Sequence, residues 1–156
     1  MTRYDVRDAT VLEGTPDQIL QALVDETQGR SSWWQPRVRM RQLGDLPITE
    51  VGGVIEFVVS SHGRETLRFT ARVIGRDGGR ELTLRVFDGD FRGVEDWTFD
   101  PVDENHTRVG LHWWVKPHGR VRLVAPFVDV PAAHSKVLHE GFDAVEAYIR
   151  AGQPVG

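Results

Sequence analysis

Glu95 and His134 are the two side chains of this sequence whose neighbours give them chemistry to do. Glu95 lies in FRGVEDWTFD and shares an alternating face with Phe91, Trp97 and Phe99, while Arg92, Asp96 and Thr98 point the other way. On a strand, that alternation sends one carboxyl group into apolar surroundings. Burial disfavours the ionised form, so such a carboxyl holds its proton towards neutral pH and can act as a general acid or base. A bulge at DGDF or FRG would reverse the parity and leave Glu95 in solvent beside an arginine, and both outcomes stay open. His134 falls at helical spacing from Leu138, Phe142 and Val145, on the apolar stripe of a C-terminal helix. Two roles are open to it: a helix-end imidazole satisfied by one hydrogen bond at the core, or a donor or proton relay to a ligand carbonyl.

The remaining polar candidates are fewer. Asp88 ends the row Leu82, Leu84, Val86 and is expected to carry a polar group into the same space. Glu56 sits in VIEFVVS, where both faces are apolar, so alternation does not fix its direction. His112 shares the parity of Arg108, Trp114 and Lys116 and is expected to face outward, as are Arg68 and Arg72. The six histidines include no pair at close helical or alternating spacing beside a carboxylate, so no metal site is expected. The sequence has no cysteine, which removes disulfides, thiol nucleophiles, thiolate zinc and iron–sulfur clusters. No serine sits between glycines at a strand–turn–helix junction, and GRDGG at 75–79 is a hairpin turn with no following helix to hold phosphate. Any catalysis is therefore expected to need no cofactor.

These residues require elements to place them. Arg3 to Glu13 alternates as a strand, with Tyr4, Val6, Thr10 and Leu12 on one parity. Thr15 can cap, Pro16 takes the first helical position and Gln18 completes a capping box, which predicts an amphipathic helix over about 16–25. The stretch before Pro36 leaves room for a second short helix. Alternating segments near 38–43, 53–61, 65–76, 80–88, 91–100 and 106–116 are separated by Gly-, Asp-, Asn- and Pro-rich turns and predict consecutive antiparallel strands. From Pro131 to Ala151, His134, Leu138, Gly141, Phe142, Val145, Tyr148 and Ile149 form one helical stripe. An α+β architecture follows: a curled antiparallel sheet of about seven strands around a long C-terminal helix, with two short helices after the first strand. A single domain over 1–156 is expected, with a cavity between helix and sheet.

The succession of an N-terminal strand into GTPDQILQALVDET, then VGGVIEFVV, then GVEDWTFDPVDENHTRVGLHWWV and the C-terminal helix resembles the START-like, polyketide cyclase and dehydrase superfamily, the helix-grip fold. The likeness covers nearly the whole chain. It implies a ligand pocket shared by polyketide aromatases and cyclases, lipid and hormone carriers and chaperone activators, without a shared catalytic triad.

Four of the five tryptophans fall in two doublets, Trp33–Trp34 and Trp113–Trp114. In a strand only one of the second pair can face the cavity, which parity assigns to Trp113. Trp33 and Trp34, if helical, diverge by about 100°, so that one covers the pocket and the other packs beneath. The pocket is expected to be lined by Trp33, Trp34, Phe69, Leu84, Asp88, Trp97, Leu111, Trp113, Leu138 and Phe142, with Glu95 and His134 handling protons. The expected ligand is an apolar or aromatic small molecule. Two functions stay open: cofactor-free cyclase- or dehydrase-like chemistry, or non-catalytic carriage of a lipid or small molecule, with protein interaction as a variant. An outward Trp114 beside His112 and Lys116 would suit a homodimer contact, unless its own Arg108 covers it. A net charge of −4 argues against nucleic acid as partner. No apolar run is long enough to span a membrane, nothing at the N-terminus looks like a signal peptide, and a cytoplasmic location is expected.

Overall fold

Alternation of period two continues with few interruptions from Val38 to Pro117, and the chain folds that stretch into six consecutive antiparallel strands. The computed structural model describes residues 3–152. Its strands are β1 (Tyr4–Glu13), β2 (Val38–Leu43), β3 (Val54–Ser61), β4 (Arg64–Asp77), β5 (Glu81–Gly89), β6 (Phe91–Pro101) and β7 (His106–Pro117). Its helices are α1 (Pro16–Thr27), α2 (Val121–Val124) and α3 (Val130–Arg150), with a 3-10 turn at Ala125–Phe127 between the last two. The sheet order is β1-β7-β6-β5-β4-β3-β2, so only β1 pairs out of sequence, with Val6 opposite Trp113 and Asp8 opposite Leu111. This is the curled seven-stranded sheet around a long C-terminal helix that the alternation predicts.

The helices form for local reasons. Thr15 Oγ1 accepts from the Gln18 N–H and the Gln18 side chain returns to the Thr15 N–H, a reciprocal cap, of a kind that stabilises by about 1 kcal/mol. Asp129 caps α3 by accepting from the Ala132 N–H, and Leu138, Gly141, Phe142, Val145 and Ile149 bury one stripe of that helix. At Gly141 a β-carbon would lie 2.5 Å from Trp34 Cε2, so only glycine lets the indole lie this close to the helix.

One helix follows β1 where two were expected. Beyond Thr27 the chain turns, because Glu26 folds back and its carboxylate accepts from Ser31 Oγ (2.7 Å), the Trp33 N–H (2.9 Å) and the Trp34 N–H (3.1 Å). Backbone donors that a second helix would have engaged are taken by this side chain. The other short helix, α2, lies after β7 instead.

Candidate functional site

A cavity of about 810 Å³ opens between the concave face of the sheet and α3. Its walls are Phe57 and Val59 of β3, Phe69 of β4, Phe91, Glu95 and Trp97 of β6, Leu111 and Trp113 of β7, and His134, Val137 and Leu138 of α3. Trp34 closes one side, and Val121, Val124, Ala125 and Val128 form an end near the surface. The aromatic rings are continuous. Phe57 stacks on Phe69 (4.8 Å), Phe69 meets Phe91 edge-on (6.1 Å), Phe91 meets Trp113 edge-on (5.0 Å), and Trp113 stacks on His134 (3.9 Å between ring centres, 12° between planes).

Glu95 faces inward because β6 pairs without interruption with both neighbours, Leu84 on one side and Trp113 on the other. Its side chain is buried and Oε2 has no hydrogen-bond partner. Burial pushes its carboxyl up to about 7; the nearby indoles of Trp97 and Trp113 act weakly in the opposite sense. Neither indole completes a hydrogen bond to Oε2, and Trp113 Nε1 is itself unpartnered. The group can therefore hold or release a proton near neutrality.

His134 behaves in the opposite way. Burial lowers its pKa to about 4, against a smaller upward pull from Asp8, so the ring is neutral at neutral pH. Its Nδ1 lies 4.0 Å from Asp8 Oδ2, beyond hydrogen-bond range, and has no partner. The Asp8 oxygens are engaged by Ser135 Oγ (2.9 Å) and lie 3.3 Å from His139 Nε2. Asp8 was missed in the sequence, although it shares the inward parity of Tyr4, Val6 and Leu12 on β1.

The expected lining residues divide. Trp34, Phe69, Trp97, Leu111, Trp113 and Leu138 line the cavity. Leu84 is fully buried yet belongs to the core behind it, opposite Val73 and Glu95. Phe142 and Trp33 flank a small void of about 20 Å³ on the far side of Trp34. The two indoles of the first doublet do not diverge as helical neighbours would. They stack 5.6 Å apart at 10°, with Trp33 Nε1 donating to the Ala22 carbonyl.

Asp88 is a correction. Val86 pairs with Ala71 and Asp88 with Thr70, so Phe87 is an extra residue that breaks the alternation of β5. Phe87 and Asp88 are both exposed, and Asp88 lies 3.8 Å from Arg92 on the outer face. A bulge thus exists close to DGDF, but it displaces Asp88 and leaves Glu95 inside. Glu56 faces outward too, between Arg41 (3.2 Å) and Arg68 (3.6 Å). Trp114 is covered on one face by the Arg3 guanidinium, 4.0 Å from the ring centre, rather than by Arg108. Asp90, Arg37 and Arg120 complete the rim and had no distinguishing pattern in the sequence. Arg37 donates to Glu140 (3.0 Å) and to the Ser60 carbonyl (2.9 Å), tying β2's approach to α3.

No family model and no curated protein matches the sequence. Solved structures do. A protein from Thermus thermophilus is similar over 97% of this chain and 100% of its own, with a TM-score of 0.71 at 17% identity. The Zhui aromatase/cyclase from a Streptomyces species is similar over 99% and 100%, with a TM-score of 0.65 at 15% identity. Norcoclaurine synthase from Thalictrum flavum, in complex with dopamine and hydroxybenzaldehyde, is similar over 98% and 90%, with a TM-score of 0.66 at 11% identity. The chain has the START-like helix-grip fold that these structures share. Among the described residues, no helix is long and apolar enough to cross a membrane.

Proposed function

We propose that this chain binds an aromatic or polycyclic, oxygen-bearing small molecule in the cavity. One observation carries the proposal. Trp34 Nε1, Glu95 Oε2, Trp113 Nε1 and His134 Nδ1 are the buried side-chain polar atoms left without a partner among the described residues, and every one belongs to a residue lining this cavity. A buried polar group without a partner costs about 1–3 kcal/mol, so four such residues around one space favour a ligand that supplies partners. An indole N–H only donates, so the ligand should offer carbonyl, ether or phenol oxygens, and the aromatic walls favour flat rings. The dopamine and hydroxybenzaldehyde held by norcoclaurine synthase are of that chemical kind.

A second reading adds catalysis. Glu95, poised near pH 7, can move a proton to and from a ligand, as aldol and dehydration steps require, while the neutral His134 offers a hydrogen bond to a ligand oxygen. The cavity would hold the substrate close to its reactive shape. A carrier uses the same groups only as hydrogen-bond partners.

Native mass spectrometry of the chain purified from its own host tests the first reading, which predicts a bound small molecule lost from Trp34→Ala. Recovery of a ligand-free chain, with no quenching of tryptophan emission by hydroxylated aromatic compounds, would refute it. Under the second reading the captured compound is converted, and Glu95→Gln stops the conversion while retaining the compound. Unchanged compound after incubation leaves carriage.

A further inference from the structure

The end of the cavity between β7 and α3 combines two features that no intramolecular contact explains. Leu123 (76% exposed), Val124 (54%), Phe127 (86%) and Val128 (49%) form an apolar projection around α2 and the turn after it. Phe127 and Leu123 are not cavity residues, whereas Val121, Val124, Ala125 and Val128 on the same segment are. The stretch from Lys116 to Val128 also carries three cations and no anion, in a chain of net charge −4. Among the described residues, Arg120 and Arg122 have no ion-pair partner. The acids next to this segment are engaged in hydrogen bonds: Glu65 with Arg68 (2.7 Å), Asp90, whose carboxylate accepts from the Arg68 N–H and whose carbonyl accepts from the His118 N–H, and Asp129, which caps α3.

We propose that residues 119–128 dock on an anionic phospholipid surface, with Leu123 and Phe127 entering the headgroup–acyl boundary and Arg120 and Arg122 meeting the phosphates. Apolar tips flanked by cations bind such surfaces because burial and charge act together. A second copy fits poorly, since a two-fold contact through this patch would set arginines against arginines. A protein partner fits poorly too, because a stable interface engages about 20–30 residues a side and this projection offers about ten. The docked segment forms one end of the cavity, so the mouth would face the bilayer. The proposal stands whatever the cavity holds.

The test is flotation of the intact chain with vesicles of phosphatidylcholine alone and of phosphatidylcholine with phosphatidylglycerol. Binding is expected on the anionic vesicles, at least tenfold weaker on the neutral ones, and diminishing as salt rises. Leu123→Ser/Phe127→Ser should abolish it, and Arg122→Gln should weaken it about fivefold. Both substitutions lie outside the cavity, so an unchanged melting temperature and unchanged capture of the cavity compound show that the chain is intact. Absence of flotation by the wild type at low salt overturns the proposal. So does undiminished flotation of the double variant, which would place binding elsewhere, or a wild-type dimer that the double variant dissociates. An empty cavity with preserved flotation would defeat only the small-molecule reading.

Discussion

Asp25 and Glu26 at the end of α1 are 0% and 1% exposed, and Glu95 in the middle of β6 is 3% exposed, yet the surroundings of these carboxylates differ completely. Asp25 accepts from Gln21 Nε2 (2.9 Å), Arg30 Nε (3.2 Å) and Tyr148 OH (2.8 Å). Glu26 accepts from one hydroxyl and two backbone N–H groups of the segment leading into Trp34. Glu95 Oε2 accepts from nothing. The first region uses burial to strengthen hydrogen bonds and thereby fixes a loop; the second leaves one carboxyl oxygen without a partner beside a cavity, where burial changes the acidity of the group. Depth of burial alone does not separate a structural acid from a chemical one. The number of donors delivered to it does.

The largest expected effect attacks the first region. Glu26→Ala strands two backbone N–H groups and a hydroxyl, and should lower stability by about 3–5 kcal/mol in urea denaturation. A loss no larger than that of Glu95→Ala at pH 8 would break the contrast.

The next sharpens the second region. In the folded chain Glu95 keeps its proton up to about pH 7, against an ordinary value of 4.5, so the folded state binds the extra proton between those limits. The stability it contributes is full below about pH 4.5 and lost as pH rises through 7. Glu95→Gln should therefore gain on the wild type by roughly 3 kcal/mol between pH 4.5 and 8. His134 runs the other way: its folded value of about 4 against 6.5 means its contribution is present above 6.5 and lost as pH falls through 4. The two opposed slopes offset one another across most of that range, so the wild-type profile should be flatter than that of either Glu95→Gln or His134→Phe. Parallel profiles for all three chains would show that neither group is buried in solution.

The smallest effect returns to Asp25. Burial and the Asp25 carboxylate push Tyr148 up to about 12. Tyr148→Phe removes one of several donors to Asp25 and should cost about 1 kcal/mol by the same denaturation measurement.

The strands and both long helices were legible because their signals are local. Alternation, turn residues and caps place every strand within about two residues of its observed bounds. Glu95 was reachable by the same parity, since β6 pairs without a bulge. Asp88 was not, because one extra residue at Phe87 reverses the rest of β5, and the bulge signal at DGDF does not fix which residue is inserted or which carboxylate it turns outward. The Asp25–Glu26 clamps were invisible for a different reason: their partners Arg30, Ser31, Trp33 and Tyr148 are assembled by a turn and by the return of α3. Asp8 sat on a legible inward parity, and what the sequence lacked was the knowledge that α3 brings Ser135 and His139 to meet it.

The contact between Trp34 and Gly141 also limits the paths by which this sequence can change. A β-carbon at residue 141 would stand 2.5 Å from the indole, while a smaller side chain at residue 34 would vacate that space. Substitution at 141 is thus tolerable only in a lineage where 34 has already shrunk, whereas 34 can shrink first with 141 unchanged. Exchange at these two positions is therefore ordered: residue 34 must shrink before residue 141 can grow.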